Sequence, residues 1–270
     1  MTNFSAGRRL AASALIFAAA CGRGVTVGST PAPAPAAARA AGITDGRALL
    51  GAMYDTYKGR WYKTLTFTQR TTTTPRAGGA DIVQTWYEAA KLPGNLRIDI
   101  DVPSKGNGAL YARDSIFSVS GGRITRADTG LNALLVLGFD VYAQPPAASE
   151  AVLRHLGFNL NALHDDVWQG KPVYVVGAAA GDTTSKQFWV TKNDLLFVRL
   201  IQTTPRGRAE FQFNKYVRAG GGWVAAEVVQ MLNGRRTVLE EYTTIRADVP
   251  LSDALFDPRQ WSTAPHWYIP

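Results

Sequence analysis

The sequence predicts an α+β fold that is mainly antiparallel β: one long sheet, a helical insertion and an N-terminal helix. From Gln187 to Pro258, β-branched and aromatic runs are separated by Lys192-Asn193-Asp194, Pro205-Arg206-Gly207, Gly220-Gly221-Gly222 and Asn233-Gly234. Turn residues at this spacing mark successive hairpins, and Asn-Gly is the strongest short form. Leu96-Arg97-Ile98-Asp99-Ile100-Asp101-Val102 alternates strictly between apolar and charged residues. That period of two predicts a strand buried on one face and wet on the other. Between these strand-rich regions, Thr129–Leu163 loses the pattern. It reads as short helices and loops inserted into the sheet.

Taken in order, the chain opens with Arg8-Arg9 and an apolar run, Leu10–Ala20, of eleven residues. Such a run is too short to cross a bilayer and suits the core of a signal peptide, assigned here to residues 1–20. Cys21, the only cysteine, directly follows Ala18-Ala19-Ala20. This resembles the bacterial lipobox, which makes Cys21 a lipidation site and predicts an anchor in the outer membrane. Ala18 departs from the usual leucine, and the alternative is an ordinary leader cut later, after Ala38-Arg39-Ala40. Both versions predict export to the periplasm. A single cysteine allows no intrachain disulfide. Residues 21–43, with Pro31-Ala32-Pro33-Ala34-Pro35, read as an extended tether.

The folded domain is expected over residues 44–258, followed by a tail, 259–270. Leu49, Leu50, Met53, Tyr54 and Tyr57 lie on one helical stripe, with Thr44 or Asp45 as cap. Strands follow at Trp61–Arg70, Asp81–Ala90 and Leu96–Val102. A hairpin, Ala109–Ala112 and Ser115–Ser120, turns at Arg113-Asp114, and Val173–Val176 resumes the sheet after the insertion. At 270 residues with 46% hydrophobic content the chain can bury a substantial core. Lys and Arg total 29 against 21 Asp and Glu, giving +8. The arginines are scattered, which fits weak attraction to anionic lipid and makes nucleic acid a poor partner for an exported protein.

The chain offers little for catalysis. His155, His164 and His266 are dispersed, and His164-Asp165-Asp166 has no partner at metal-ligand spacing, so it reads as a solvated loop. Nucleophile-elbow, zinc-protease and phosphate-loop motifs are absent. Asp99, Asp101, Glu210 and Glu240 occur singly on polar strand faces, where solvation is expected. No metal, cofactor or enzymatic activity is predicted. What remains is a large aromatic content, seven Trp, ten Tyr and eleven Phe. It fits either a filled core or an apolar cavity for a ligand.

Phe67-Thr68-Gln69, Lys91-Leu92-Pro93-Gly94-Asn95-Leu96-Arg97-Ile98, Asp114-Ser115-Ile116-Phe117, Phe188-Trp189-Val190 through Arg199, and Leu255-Phe256-Asp257-Pro258 follow one another in an order that resembles the outer-membrane lipoprotein-sorting family, LolA and LolB with the related RseB. The resemblance spans Thr44–Pro258. It implies a strongly curved half-barrel sheet whose concave side is plugged by short helices and takes acyl chains of lipoproteins or lipids, without chemistry. The expected cavity residues are Trp61, Leu65, Phe67, Trp86, Ile98, Phe117, Leu134, Leu135, Phe139, Trp189, Phe197 and Phe211. Leu131–Phe139 is the expected lid. Arg97 corresponds to an arginine that latches such a lid; read on its own residues, it is a solvent-facing partner of Asp99 or Asp101. A sensor or structural lipoprotein of the same fold, engaging other envelope proteins, is the alternative, and an envelope hydrolase a weaker one.

Overall fold

Antiparallel pairing runs unbroken through thirteen strands in a computed structural model, which describes residues 42–76 and 78–268. The predicted signal peptide, Cys21 and the Ser29–Ala41 segment lie outside the described residues. After helix α1 (Gly46–Tyr57), the chain lays down β1 (Thr64–Thr73), β2 (Ile82–Lys91), β3 (Asn95–Ile100), β4 (Gly108–Ala112), β5 (Ser115–Ser120) and β6 (Arg123–Thr129). The insertion holds α2 (Ala133–Gly138), a 3-10 turn at Asp140–Tyr142 and α3 (Pro146–His155). Then come β7 (Leu163–Trp168), β8 (Lys171–Val176), β9 (Gln187–Thr191), β10 (Phe197–Thr204), β11 (Gly207–Ala219), β12 (Gly222–Leu232) and β13 (Arg235–Ala247).

The strand order is β6-β5-β4-β3-β2-β1-β13-β12-β11-β10-β9-β8-β7. The first half grows from the centre to one edge, and the insertion carries the chain to the opposite edge. The second half then grows back until β13 pairs with β1, with Leu65 opposite Ala247 and Thr73 opposite Val238. The insertion therefore joins the two edge strands.

Local chemistry accounts for the elements. Asp45 caps α1 by accepting from the Ala48 N–H at 2.8 Å, and Leu49, Leu50, Met53 and Tyr57 are its buried stripe. Gly46 belongs at the start of this helix for a steric reason: a Cβ there would lie 2.7 Å from Val176 Cγ1 and 3.0 Å from Leu160 O. The expected turns stand between the strands of the Gln187–Ala247 meander, with Asn233 at φ 51° and Gly234 at φ 79°. β6 and β7, which pattern reading does not assign, are the edges. β6 is exposed along nearly its whole length, so it carries no apolar alternation. His164, Asp165 and Asp166 lie in β7, a strand and not a loop.

The alternation of β3 is as expected, and its predicted wet face is not. Leu96 and Ile98 enter the main core. Arg97 and Asp99 on the opposite side are 3% and 0% exposed. The C-terminal residues cover them, with the Trp261 ring 3.8 Å from the Arg97 guanidinium and His266 Nε2 3.0 Å from Asp99. Glu210 and Glu240 are likewise buried rather than solvated. Glu210 sits between Arg199 and Arg208, each at 2.8 Å, and Glu240 accepts from Gln230 at 3.0 Å.

Candidate functional site

Cross-strand register sorts the side chains onto two faces. On one, called inner because the insertion lies on it, Phe67, Glu88, Ile98 and Ala109 stand side by side across β1 to β4. In the other half of the sheet, Phe211, Leu200, Phe188 and Val176 form the matching row across β11 to β8. Both rows feed a single apolar cluster that includes Leu49, Leu50 and Met53 of α1 and Leu134, Leu135, Val136 and Leu137 of α2. Period-two burial in a sheet and the 3.6-residue stripe of α1 meet in one core.

The insertion touches both halves of the sheet. Tyr142 stacks on Trp61 with ring centroids 3.9 Å apart and meets the edge of Tyr57 at 5.4 Å. Its hydroxyl accepts from the Phe197 N–H of β10 at 2.9 Å. A Cβ on Gly138 would lie 3.3 Å from the Phe213 ring of β11. On the other half, Asp140 accepts from the Gly94 N–H in the β2–β3 turn at 3.0 Å. Burial pushes the Asp140 carboxyl up to about 7, against the lowering effect of that hydrogen bond. Glu88 is 1% exposed among Phe67 and Ile98, and burial alone drives its carboxyl well above the usual range.

Trp61, Leu65, Phe67, Trp86, Ile98, Leu134, Leu135, Phe197 and Phe211 lie together in the inner cluster, with half-buried Phe139 packed against it. Phe117 and Trp189 do not join them. Phe117 shares an outer row with Leu110 and Arg97 and packs beside Val119, Leu255, Phe256 and Trp261. Trp189 packs on the outer face with Val173, Val175, Val198 and Ile201, and with Trp168 it brackets the Arg199 guanidinium at 4.5 and 4.0 Å. In both strands the inward residue is the neighbour, Ile116 or Phe188. When apolar residues occupy both faces, the larger ring gives no information about which face is the core.

Arg97 is not a latch on the insertion. Its Nε and Nη2 donate to Asp99 at 2.8 and 2.9 Å on the outer face. The expected pairing with Asp99 is present, in a buried setting. Asp140, rather than Arg97, bonds the insertion to the β2–β3 turn of the first half of the sheet. Sequence reasoning missed Asp140, Tyr142 and Phe213; the only signal was the aromatic and acidic content of the segments themselves. Among the described residues no group of three or more His, Asp or Glu side chains could hold a metal ion. His155 is exposed at the end of α3, His164 Nδ1 faces Ala178 O at 3.0 Å, and His266 faces Asp99. Among the described residues no helix is long and apolar enough to cross a membrane.

A single antiparallel sheet with its edges joined by a helical insertion defines a fold class with known members. The chain is similar to a DUF1329 family protein from Desulfovibrio piger (15% identity, 78% of this chain and 95% of that one, TM-score 0.52). It is similar to a domain assigned to outer membrane lipoprotein sorting from Vibrio parahaemolyticus (11%, 80% and 98%, TM-score 0.52). A LolA superfamily protein from Nitrosomonas europaea matches at 12% identity over 77% and 97%, with a TM-score of 0.48. No family model and no curated protein matches the chain. The likeness is one of fold, and that fold is the one the motif order resembles.

Proposed function

We propose that this protein binds acyl chains of lipoproteins or membrane lipids between the inner face of the sheet and the helical insertion. It works in the cell envelope, without catalysis, as a carrier or receptor in lipoprotein or lipid transfer. The observation that carries this reading is the largely apolar surface from β4 to β8, interrupted by buried Gln69, Glu88, Gln230 and Glu240 and covered by an insertion that bridges the sheet's two edges. A curved half-barrel is consistent with the bulges between Thr66 and Thr68, Phe197 and Arg199, and Gln230 and Met231, because bulges bend strands and increase twist. Trp61, Leu65, Phe67, Trp86, Ile98, Phe197 and Phe211 form the wall, and Leu134, Leu135 and Phe139 line the lid.

Apolar burial is non-directional and tolerates chains of varied length. Each buried methylene contributes about 0.8 kcal/mol; displacing the insertion offsets part of that. Lipidation of Cys21 would hold the domain on the outer membrane through the Pro/Ala tether. The test is extraction of purified protein followed by mass spectrometry, together with displacement of a fluorescent fatty-acid probe. Co-purifying acyl lipid and saturable, competable probe binding are expected. Recovery of no lipid with no probe binding would contradict the proposal. Labelled palmitate that attaches to the wild type and not to Cys21→Ser is expected for the anchor.

A further inference from the structure

On the face opposite the insertion, the Pro103–Gly106 turn, the Gly121-Gly122 turn between β5 and β6, and the C-terminal segment enclose a pocket of about 370 Å³. Its lining includes Arg97, Ser104, Lys105, Trp261, Ser262 and His266, and no acidic side chain. The volume lies in the range of small-ligand sites. Glycine lets the three segments converge: a Cβ on Gly106 would lie 2.4 Å from Gly122 N, and one on Gly122 would lie 2.6 Å from Ser262 Oγ.

Arg97 is the informative residue. Its guanidinium carries five N–H donors. Nε and Nη2 are spent on the Asp99 carboxylate at 2.8 and 2.9 Å, while buried Nη1 has no acceptor. Trp261 Nε1, stacked beside it, has none either. His266 is fully committed. Its Nδ1 accepts from the Tyr268 N–H at 3.0 Å, so Nε2 carries the proton and donates to Asp99. Lys105 is half exposed, and its partner Asp101 is also a surface residue, at 3.1 Å; that pair is weak and exchangeable. Two buried donors of the lining, Arg97 Nη1 and Trp261 Nε1, therefore lack acceptors, and leaving buried donors unmatched is unfavourable.

We infer that this pocket binds a small phosphate monoester, its phosphoryl oxygens accepting from Arg97 Nη1, Lys105 Nζ and the hydroxyl of Ser104. A phosphate offers three terminal oxygens to a guanidinium and an ammonium, more acceptors than a carboxylate supplies, and such charge-assisted bonds are the strong ones. Two sources share this chemistry, a soluble phosphate ester and the headgroup of a phosphatidate-type lipid. The site is separate from the inner face and stands or falls independently of acyl-chain binding there.

The experiment is calorimetric titration of the full chain with glycerol 3-phosphate, with glycerol and acetate as controls. In parallel, binding is measured to phosphatidylcholine vesicles with and without phosphatidate. Saturable binding of glycerol 3-phosphate, or of phosphatidate vesicles alone, is expected and identifies the source. Lys105→Ala and Ser104→Ala, both at exposed positions, leave the fold intact. Lys105→Ala weakens binding roughly 10-fold, as loss of one charge-assisted bond implies. The Arg97 side-chain ¹⁵N resonances shift on titration. Failure of both phosphate probes to bind, or binding unchanged in Lys105→Ala with no shift at Arg97, would overturn the assignment.

Discussion

On the inner face, the covering segment meets the sheet mainly through rings and aliphatic side chains: Tyr142 on Trp61, Gly138 against Phe213, and Leu134 to Leu137 in the common cluster. Hydrogen bonds fix it to the two halves, among them Phe197 N–H to Tyr142, Gly94 N–H to Asp140, Gly130 N–H to Asp114 O and Lys186 Nζ to Leu156 O. On the outer face, the covering segment is the C-terminal residues, held over β3 by a buried Arg97–Asp99 pair, the Trp261 ring and His266. The difference is one of directionality. Apolar contacts can be exchanged for an acyl chain, because hydrocarbon replaces hydrocarbon. A buried ion pair cannot lose one partner without stranding a charge. On the proposed reading, the inner cover is the one that yields to an acyl chain, and the outer cover stays.

The largest expected effect is on the outer side. Asp99→Ala strands the Arg97 charge and releases His266, and is expected to cost about 3–5 kcal/mol in urea unfolding. The double change Arg97→Met with Asp99→Leu recovers most of that loss, while fatty-acid probe affinity stays unchanged. Equal loss of probe affinity would erase the distinction between the two faces.

Next in size is the pH response of the inner cover. The Asp140 carboxyl sits at about 7 in the folded protein, above an unfolded value of about 3.9. A raised acid favours the folded, protonated state. Its stabilisation is thus fully present below about pH 4 and is lost as pH rises through 7. Unfolding of the wild type is expected to become easier from pH 5 to pH 8, with the Asp140 carboxyl and the Glu88 carboxyl, which burial also raises, acting in the same direction. Asp140→Asn, whose amide oxygen still accepts from Gly94, removes the Asp140 component. An identical pH dependence in the variant would show that Asp140 does not govern it.

Smaller still, Tyr142→Phe leaves the buried Phe197 N–H without its acceptor. It is expected to cost about 1–3 kcal/mol and to raise the rate of probe uptake, measured by stopped-flow fluorescence. Uptake slower than wild type would argue against the insertion as the barrier. The smallest effect belongs to neither cover. Arg126→Ala breaks an exposed pair with Asp128 and is expected to change stability by about 0–1 kcal/mol and probe binding not at all.

The sheet was legible where turn chemistry and alternation coincide. The Gln187–Ala247 meander and β3 follow from Asn-Gly, the glycine run and strict period two, which depend only on local backbone preference. β6 and β7 were not legible, because an edge strand can stay polar and is fixed by its partner. The burial of Arg97 and Asp99 was hidden for a related reason: whether a charged face is wet depends on what lies over it, here residues more than 150 positions away in sequence. The same limit applies to the candidate site. Phe67 and Ile98 could be placed on one face by period, whereas Phe117 and Trp189 sit in strands apolar on both sides. Asp140, the contact from the insertion to the β2–β3 turn, carries no pattern of its own; only the fold brings it to Gly94.

The most direct measurement uses the distribution of tryptophans. Trp61 and Trp86 lie in the inner cluster and half-buried Trp223 packs against it, while Trp168, Trp189, Trp261 and Trp267 pack on the outer side. A fatty acid brominated along its chain quenches indole fluorescence only at contact range. Saturable quenching is expected in the wild type and in Trp189→Phe, and is expected to be largely lost in the triple variant Trp61→Phe, Trp86→Phe, Trp223→Phe. Quenching that survives the triple variant and disappears with Trp189→Phe would place the acyl chain on the wrong face and contradict the account.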